Sequence, residues 1–135
     1  MEKYQILEHT ADVKVKAFGK DKKELFLNML KGMASILQPE VKSKQRKVRK
    51  IRIKSIGLET LLVDFLSEAL YLTQINKEIY NNVKFKSFTD TEIEGELIGQ
   101  KIERFKEDIK GVTYHEIDIH QGRDGVWEVT VIFDI

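Results

Sequence analysis

Three carboxylates near the ends of this chain have the chemistry of a site for a hard cation. The closing run "WEVTVIFDI", Trp127 to Ile135, sets the side chain of Asp134 immediately before the α-carboxylate of Ile135, and Asp12 stands in the polar connection "EHTAD" near the other end. Strand alternation places Trp127, Val129, Val131 and Phe133 on one face of the closing run, and Glu128, Thr130, Ile132 and Asp134 on the other. Two carboxylates one residue apart repel each other unless a cation or a basic group lies between them. A third would complete an all-oxygen site for Ca²⁺ or Mg²⁺. Spacing alone leaves a second reading open, in which Asp12 is a turn residue bonded to its neighbours and Asp134 with Ile135 is a solvated chain end.

Other chemistry is poorly supported. His9, His115 and His120 are the only histidines, and they are scattered through strands or their ends, so a histidine-rich metal site would need them to converge from a distance. The absence of cysteine excludes disulfides, thiolate zinc sites and thiol nucleophiles. Gly95 and Gly99 lie within a strand pattern and precede no helix, and no G-x-S-x-G elbow occurs, so no catalytic residue is assigned. The basic run from Lys42 to Lys54 has two readings: contact with RNA phosphates, or a solvated sheet edge blunted by Lys and Arg.

The elements that must position these groups are legible from periodicity. Tyr4 and Ile6, then Val13, Val15 and Ala17, alternate with polar residues on either side of "EHTAD". Asp21 caps a helix whose apolar residues run from Leu25 to Leu37 at steps of three and four, with Pro39 as the stop. "RKVRKIRIKS" alternates as a strand with one cationic side. "GLETLLVDFLSEALYLTQI", Gly57 to Ile75, is a buried helix with Glu59, Asp64 and Glu68 on its polar strip. "NVKFKSFT" and "EIEGELIGQ" form a hairpin around "DT"; "GVTYHEIDIHQ" and "GVWEVTVIFDI" form another around "GRDG". The expectation is one α+β domain over residues 1–135: two layers, with a mostly antiparallel sheet of about six or seven strands packed with two main helices.

With 135 residues, 41% apolar and 33% charged, the chain can bury a core beneath a charged surface. Its 23 basic and 22 acidic residues give no global field toward a polyanion. No apolar run approaches the roughly 18 residues of a membrane span, so a cytoplasmic protein without membrane partners is expected.

"EHTADV" (Glu8 to Val13), "LETLLVDFLSEALYL" (Leu58 to Leu72), "IKGVTYHEIDI" (Ile109 to Ile119) and "VIFDI" (Val131 to Ile135) occur in the order and approximate spacing of the archease family, which this chain resembles along essentially its whole length. The resemblance implies an accessory protein, not an enzyme. Its partner would be an RtcB-type tRNA-splicing ligase, an RNA ligase that works through a guanylylated histidine with GTP and manganese. The accessory protein promotes guanylylation and multiple turnover and broadens nucleotide triphosphate use, with RNA involved only indirectly. It also implies a divalent cation, calcium first with magnesium or manganese as alternatives, held by Asp12, Asp134 and Ile135. His9, Lys110, His115 and Glu116 become candidates for contact with the partner. Lys14, Phe65 and Glu116 depart from the family pattern, which has glycine, tryptophan and glycine there; none is a proposed ligand. A stand-alone metal-dependent phosphoesterase and a chaperone-like binding module are the alternatives.

Overall fold

The computed structural model describes residues 1–7 and 12–135, so His9 lies outside the described residues. The chain runs β1 (Tyr4–Leu7), β2 (Asp12–Gly19), α1 (Lys22–Leu37), β3 (Pro39–Lys54), α2 (Leu58–Asn76), β4 (Glu78–Phe88), β5 (Glu92–Phe105), β6 (Gly111–Val112), β7 (His120–Gln121) and β8 (Trp127–Asp134). The expected α+β architecture is the one found. Its strands are divided between two antiparallel sheets: β1-β2-β8-β6, with β7 also on β8, and β3-β5-β4.

The helices join the two sheets through one apolar cluster. α1 touches β1, β2 and β8 on one side and β4 on the other, and α2 touches β3, β4, β5 and β6. Asp21 is the N-cap of α1, its carboxylate accepting the Glu24 N–H at 2.8 Å. α1 ends at Gln38 in the left-handed region, where Pro39 turns the chain into β3. Leu25, Phe26, Met29, Leu30 and Met33 are buried along the inward stripe of α1.

Two contacts on that stripe fix β2 against α1. Buried Asn28 donates from Nδ2 to the carbonyl of Phe18 at 2.6 Å. Gly32 lets the helix backbone approach so closely that an added Cβ would lie 2.7 Å from Val15 Cγ1. Position and tilt of β2, and hence of Asp12, depend on this seat.

Glu78, 1% exposed, is the only buried Asp, Glu, Lys, Arg or His among the described residues. It accepts two hydrogen bonds from Arg49, from Nε at 2.9 Å and from Nη2 at 2.8 Å, and a third from the Tyr80 hydroxyl at 2.6 Å. The Arg49 hydrogen bonds outweigh burial and hold the carboxyl below its ordinary range, while burial, then Glu78, pushes the Tyr80 phenol up to about 12. A depressed carboxylate contributes stability that is present at neutral pH and is lost as pH falls below the ordinary carboxylate range. Arg49→Ala should therefore cost about 2–3 kcal/mol in urea denaturation at pH 7, below the usual loss for a buried pair because Arg49 is half-exposed. The deficit relative to wild type should shrink toward pH 3; a deficit independent of pH would remove the ion pair as its cause.

Candidate functional site

Asp12 and Asp134 are brought together by strand register. β2 and β8 pair antiparallel from Gly19 opposite Trp127 to Asp12 opposite Asp134. Val13, Val15 and Ala17 on β2 and Val129, Val131 and Phe133 on β8 are buried, so Asp12 and Asp134 share the outward face. Residues directly opposite in such a ladder have Cβ atoms about 4.5–5.5 Å apart, and like charges there are destabilising. Asp12, expected in the polar connection, is the first residue of β2: pairing with β8 draws it into the strand.

β6 closes the other side of β8. Gly111 stands opposite Asp134, and the Lys110 N–H donates to the Asp134 carbonyl at 2.7 Å. This ties the backbone of exposed Lys110 to the chain at Asp134. Ile135 continues the alternation inward: its half-buried side chain packs against the core and lines a small cavity of about 180 Å³ with Ile6, Val13, Ser35, Ile36, Gln38 and Glu107. The isoleucine thus anchors the carboxyl carbon that follows Asp134, a packing role that alternation alone did not reveal.

The donor set fits a hard divalent ion. Asp12 and Asp134 offer oxygen only, on a strand end held from both sides. No group of three or more His, Cys, Asp and Glu side chains suited to a metal exists among the described residues, so the two aspartates would need the main-chain carboxylate to reach three ligands.

His115 and Glu116 are placed differently from the expectation of one continuous strand across "GVTYHEIDIHQ". The chain leaves β8 after Thr113, whose N–H donates to the Ile132 carbonyl at 3.1 Å, and rejoins it at His120. Between them, His115 and Glu116 form an exposed turn, with Glu116 at φ 53 in the left-handed region. The excursion is strapped to α2: the Tyr114 hydroxyl donates to Asp64 at 2.5 Å, and the Ile119 N–H donates to Glu59 at 3.2 Å. Two acids that sequence alone read as a solvated strip are its anchors; their place on the one polar strip of an otherwise apolar helix was the available signal.

At the far end of the excursion, His120 lies between two carboxylates, Nδ1 at 3.1 Å from Asp118 and Nε2 at 2.8 Å from Glu128. Nε2 makes the ring's hydrogen bond, to Glu128, while Asp118 stands close as a second negative charge, and both favour the protonated ring. The Glu128 hydrogen bond is the largest cause raising the His120 pKa above its ordinary 6.5.

The molecule is an α+β protein of two antiparallel sheets with a carboxylate pair at the end of its longest-range ladder. The family model described as "Archease protein family (MTH1598/TM1083)" matches residues 4–135, and the chain belongs to the archease family. It is 34% identical over 140 residues to the protein archease of Methanosarcina barkeri, covering 98% of this chain and 95% of the relative. To the protein archease of Thermococcus kodakarensis it is 28% identical, with all of both chains covered. Among solved structures, Methanobacterium thermoautotrophicum protein 1598 superposes with a TM-score of 0.70 at 24% identity, covering 100% of both chains. A Thermotoga maritima archease described as a possible chaperone gives 0.69 at 18% identity, over 96% of this chain and 94% of that one. At these identities the two structures establish the shared fold.

Two measurements follow for the excursion. Glu116→Gly should stabilise the protein by up to about 1 kcal/mol in thermal unfolding, because glycine takes positive φ without the Cβ clash; a loss of stability would mean that the Glu116 side chain contributes more than the strain costs. In an NMR titration, His120 should have a midpoint above 6.5 that drops in Glu128→Gln. Since this shift is upward, the stabilisation is complete below 6.5 and is lost as pH rises through the folded-state value.

Proposed function

We propose that this chain is an accessory factor of an RtcB-type tRNA-splicing ligase, which promotes guanylylation and turnover of that enzyme and broadens its nucleotide use without catalysing a reaction of its own. Its working end is the strand terminus at which Asp12, Asp134 and the carboxylate of Ile135 hold a divalent cation, calcium first and magnesium or manganese as alternatives. The observation that carries the reading is the register of Asp12 opposite Asp134, since two carboxylates side by side on one sheet face call for a positive partner. Membership of the archease family supports it.

Each residue has a definite task. The β2–β8 ladder sets the spacing of the two aspartates, β6 prevents the end of β8 from fraying, and the buried side of Ile135 orients the chain end. Lys110, tied to Asp134 through its backbone and exposed, offers a cation to an acidic or phosphate group of the partner. A bound divalent ion would supply positive charge toward triphosphate oxygens. Action in the cytoplasm is part of this proposal; the described residues include no helix long and apolar enough to cross a membrane.

A chaperone-like binding role is the second reading, favoured by two exposed apolar side chains one helical turn apart on α2, Tyr71 and Ile75. The Thermotoga relative's description as a possible chaperone points the same way. Suppression of aggregation that survives Asp134→Asn but not Tyr71→Ser would select it.

The ligase reading is tested by guanylylation at limiting enzyme. Asp12→Asn, Asp134→Asn and a one-residue extension after Ile135 should each reduce stimulation by at least about tenfold, the scale at which even supporting residues of metal sites act. Full stimulation by all three would refute it. Stability offers an independent readout. In chelator, Asp134→Asn should be more stable than wild type by about 0.2–1 kcal/mol through loss of the cross-strand repulsion. Calcium at about 100 times its Kd should then raise wild type by about 2.7 kcal/mol and leave the variant nearly unmoved.

A further inference from the structure

The face of the three-stranded sheet that points away from the helices carries a charge pattern unrelated to the acidic end. From Val41 to Lys54, β3 has eight basic residues and no acidic one. Ile51 and Ile53 are buried, so Lys50, Arg52 and Lys54 face outward and are exposed. On β5, buried Ile93 and Leu97 leave Glu92, Glu94 and Glu96 on the same outer face; on β4, buried Val83 leaves Lys84 and Lys86 there. A single acidic row therefore lies between two cationic rows. Arg52 pairs with Glu92 at 3.3 Å and Lys86 with Glu94 at 3.6 Å. Lys50 and Lys84 flank Glu96 in the register, yet neither forms an ion pair among the described residues.

These rows border an open cleft of about 510 Å³ lined by Lys50, Arg52, Lys84, Lys86, Glu94 and Glu96, with Ile51 and Gly95. Protection of a sheet edge accounts for lysines on β3 and β4 as edge strands; it does not account for a cationic excess across a cleft on the face. The cations recur at every second residue, about 6.7 Å apart along a strand, and the two rows stand about 10 Å apart across three strands.

We propose that this cleft binds the phosphate backbone of a double-helical nucleic acid. Charge complementarity selects a polyanion. The outward residues named here include no aromatic side chain, so the stacking platform that captures single strands is missing. The aromatic and leucine anchors of a membrane-surface element are missing too, and the acidic row opposes a flat anionic surface. Recognition is by backbone charge and spacing, independent of base sequence. The proposal stands on β3, β4 and β5 and does not rest on the ligase reading.

The test is fluorescence anisotropy of the full chain, without ligase, against a labelled RNA hairpin, a DNA duplex and a single-stranded RNA of equal length. Binding to the duplexes should weaken roughly 10²-fold between 50 and 200 mM salt, as for about four phosphate contacts. Lys50→Gln combined with Lys84→Gln should lower the slope of log K against log salt by about 2 while the circular dichroism melt stays that of wild type. Should that pair perturb folding, Lys54→Gln with Lys86→Gln must produce the same fall in slope. Asp134→Asn should bind like wild type, which separates this surface from the acidic end. Absence of salt-dependent binding to both duplexes, a slope unchanged by the folded variants, or tighter binding to the single strand would each overturn the proposal.

Discussion

The pairing of β2 with β8 is the constraint on which the acidic end depends. It joins the two ends of the chain, Asp12–Gly19 with Trp127–Asp134, and buries one side of both strands against α1. Antiparallel side chains alternate with a period of two, so a slip of one residue would turn Val13, Val15, Phe133 and Val131 to solvent and drive Asp12 and Asp134 into the core. The apolar faces thereby enforce the register that sets two carboxylates opposite each other. Hydrophobic burial holds in place an arrangement that electrostatics would relax.

The supporting contacts act on the same ladder. Gly32 and Asn28 bring α1 against β2, β6 covers the outer edge of β8 at Asp134, and Ile135 turns its side chain back to the core. A site of surface carboxylates is thus held by groups that are mostly apolar and lie below it. The excursion from Thr113 to Ile119 is secured differently, by Tyr114 on Asp64, Ile119 on Glu59 and His120 between Asp118 and Glu128. These polar ties are exposed or part-buried, so solvent weakens them and titration of His120 reaches one of them.

Near-equal numbers of acids and bases conceal a spatial separation. The outward face of the β3-β5-β4 sheet is rich in cations, whereas the end of the β2–β8 ladder carries a carboxylate pair. Membership of the archease family covers nearly the whole chain, so both surfaces belong to the family domain itself. With the charges so separated, each field acts locally while little net repulsion opposes folding.

Periodicity by itself determined the two helices, the cap at Asp21, the alternation of β2, β3, β5 and β8, and the outward direction of Asp134. These are local properties, written in the spacing of apolar residues and in the capping and turn residues between them. The motifs "HTADV" and "VIFDI" also singled out Asp12 and Asp134, which the ladder sets opposite each other. Three things were decided only in three dimensions. The strands divide into two sheets; the stretch from Gly111 to Gln121 leaves and rejoins β8 through a left-handed residue at Glu116; and Asp12 falls directly opposite Asp134. Each depends on which distant strand completes a ladder and how a helix seats against it. Strand pattern specifies which face is buried but not which partner buries it, so that choice belongs to the packed core.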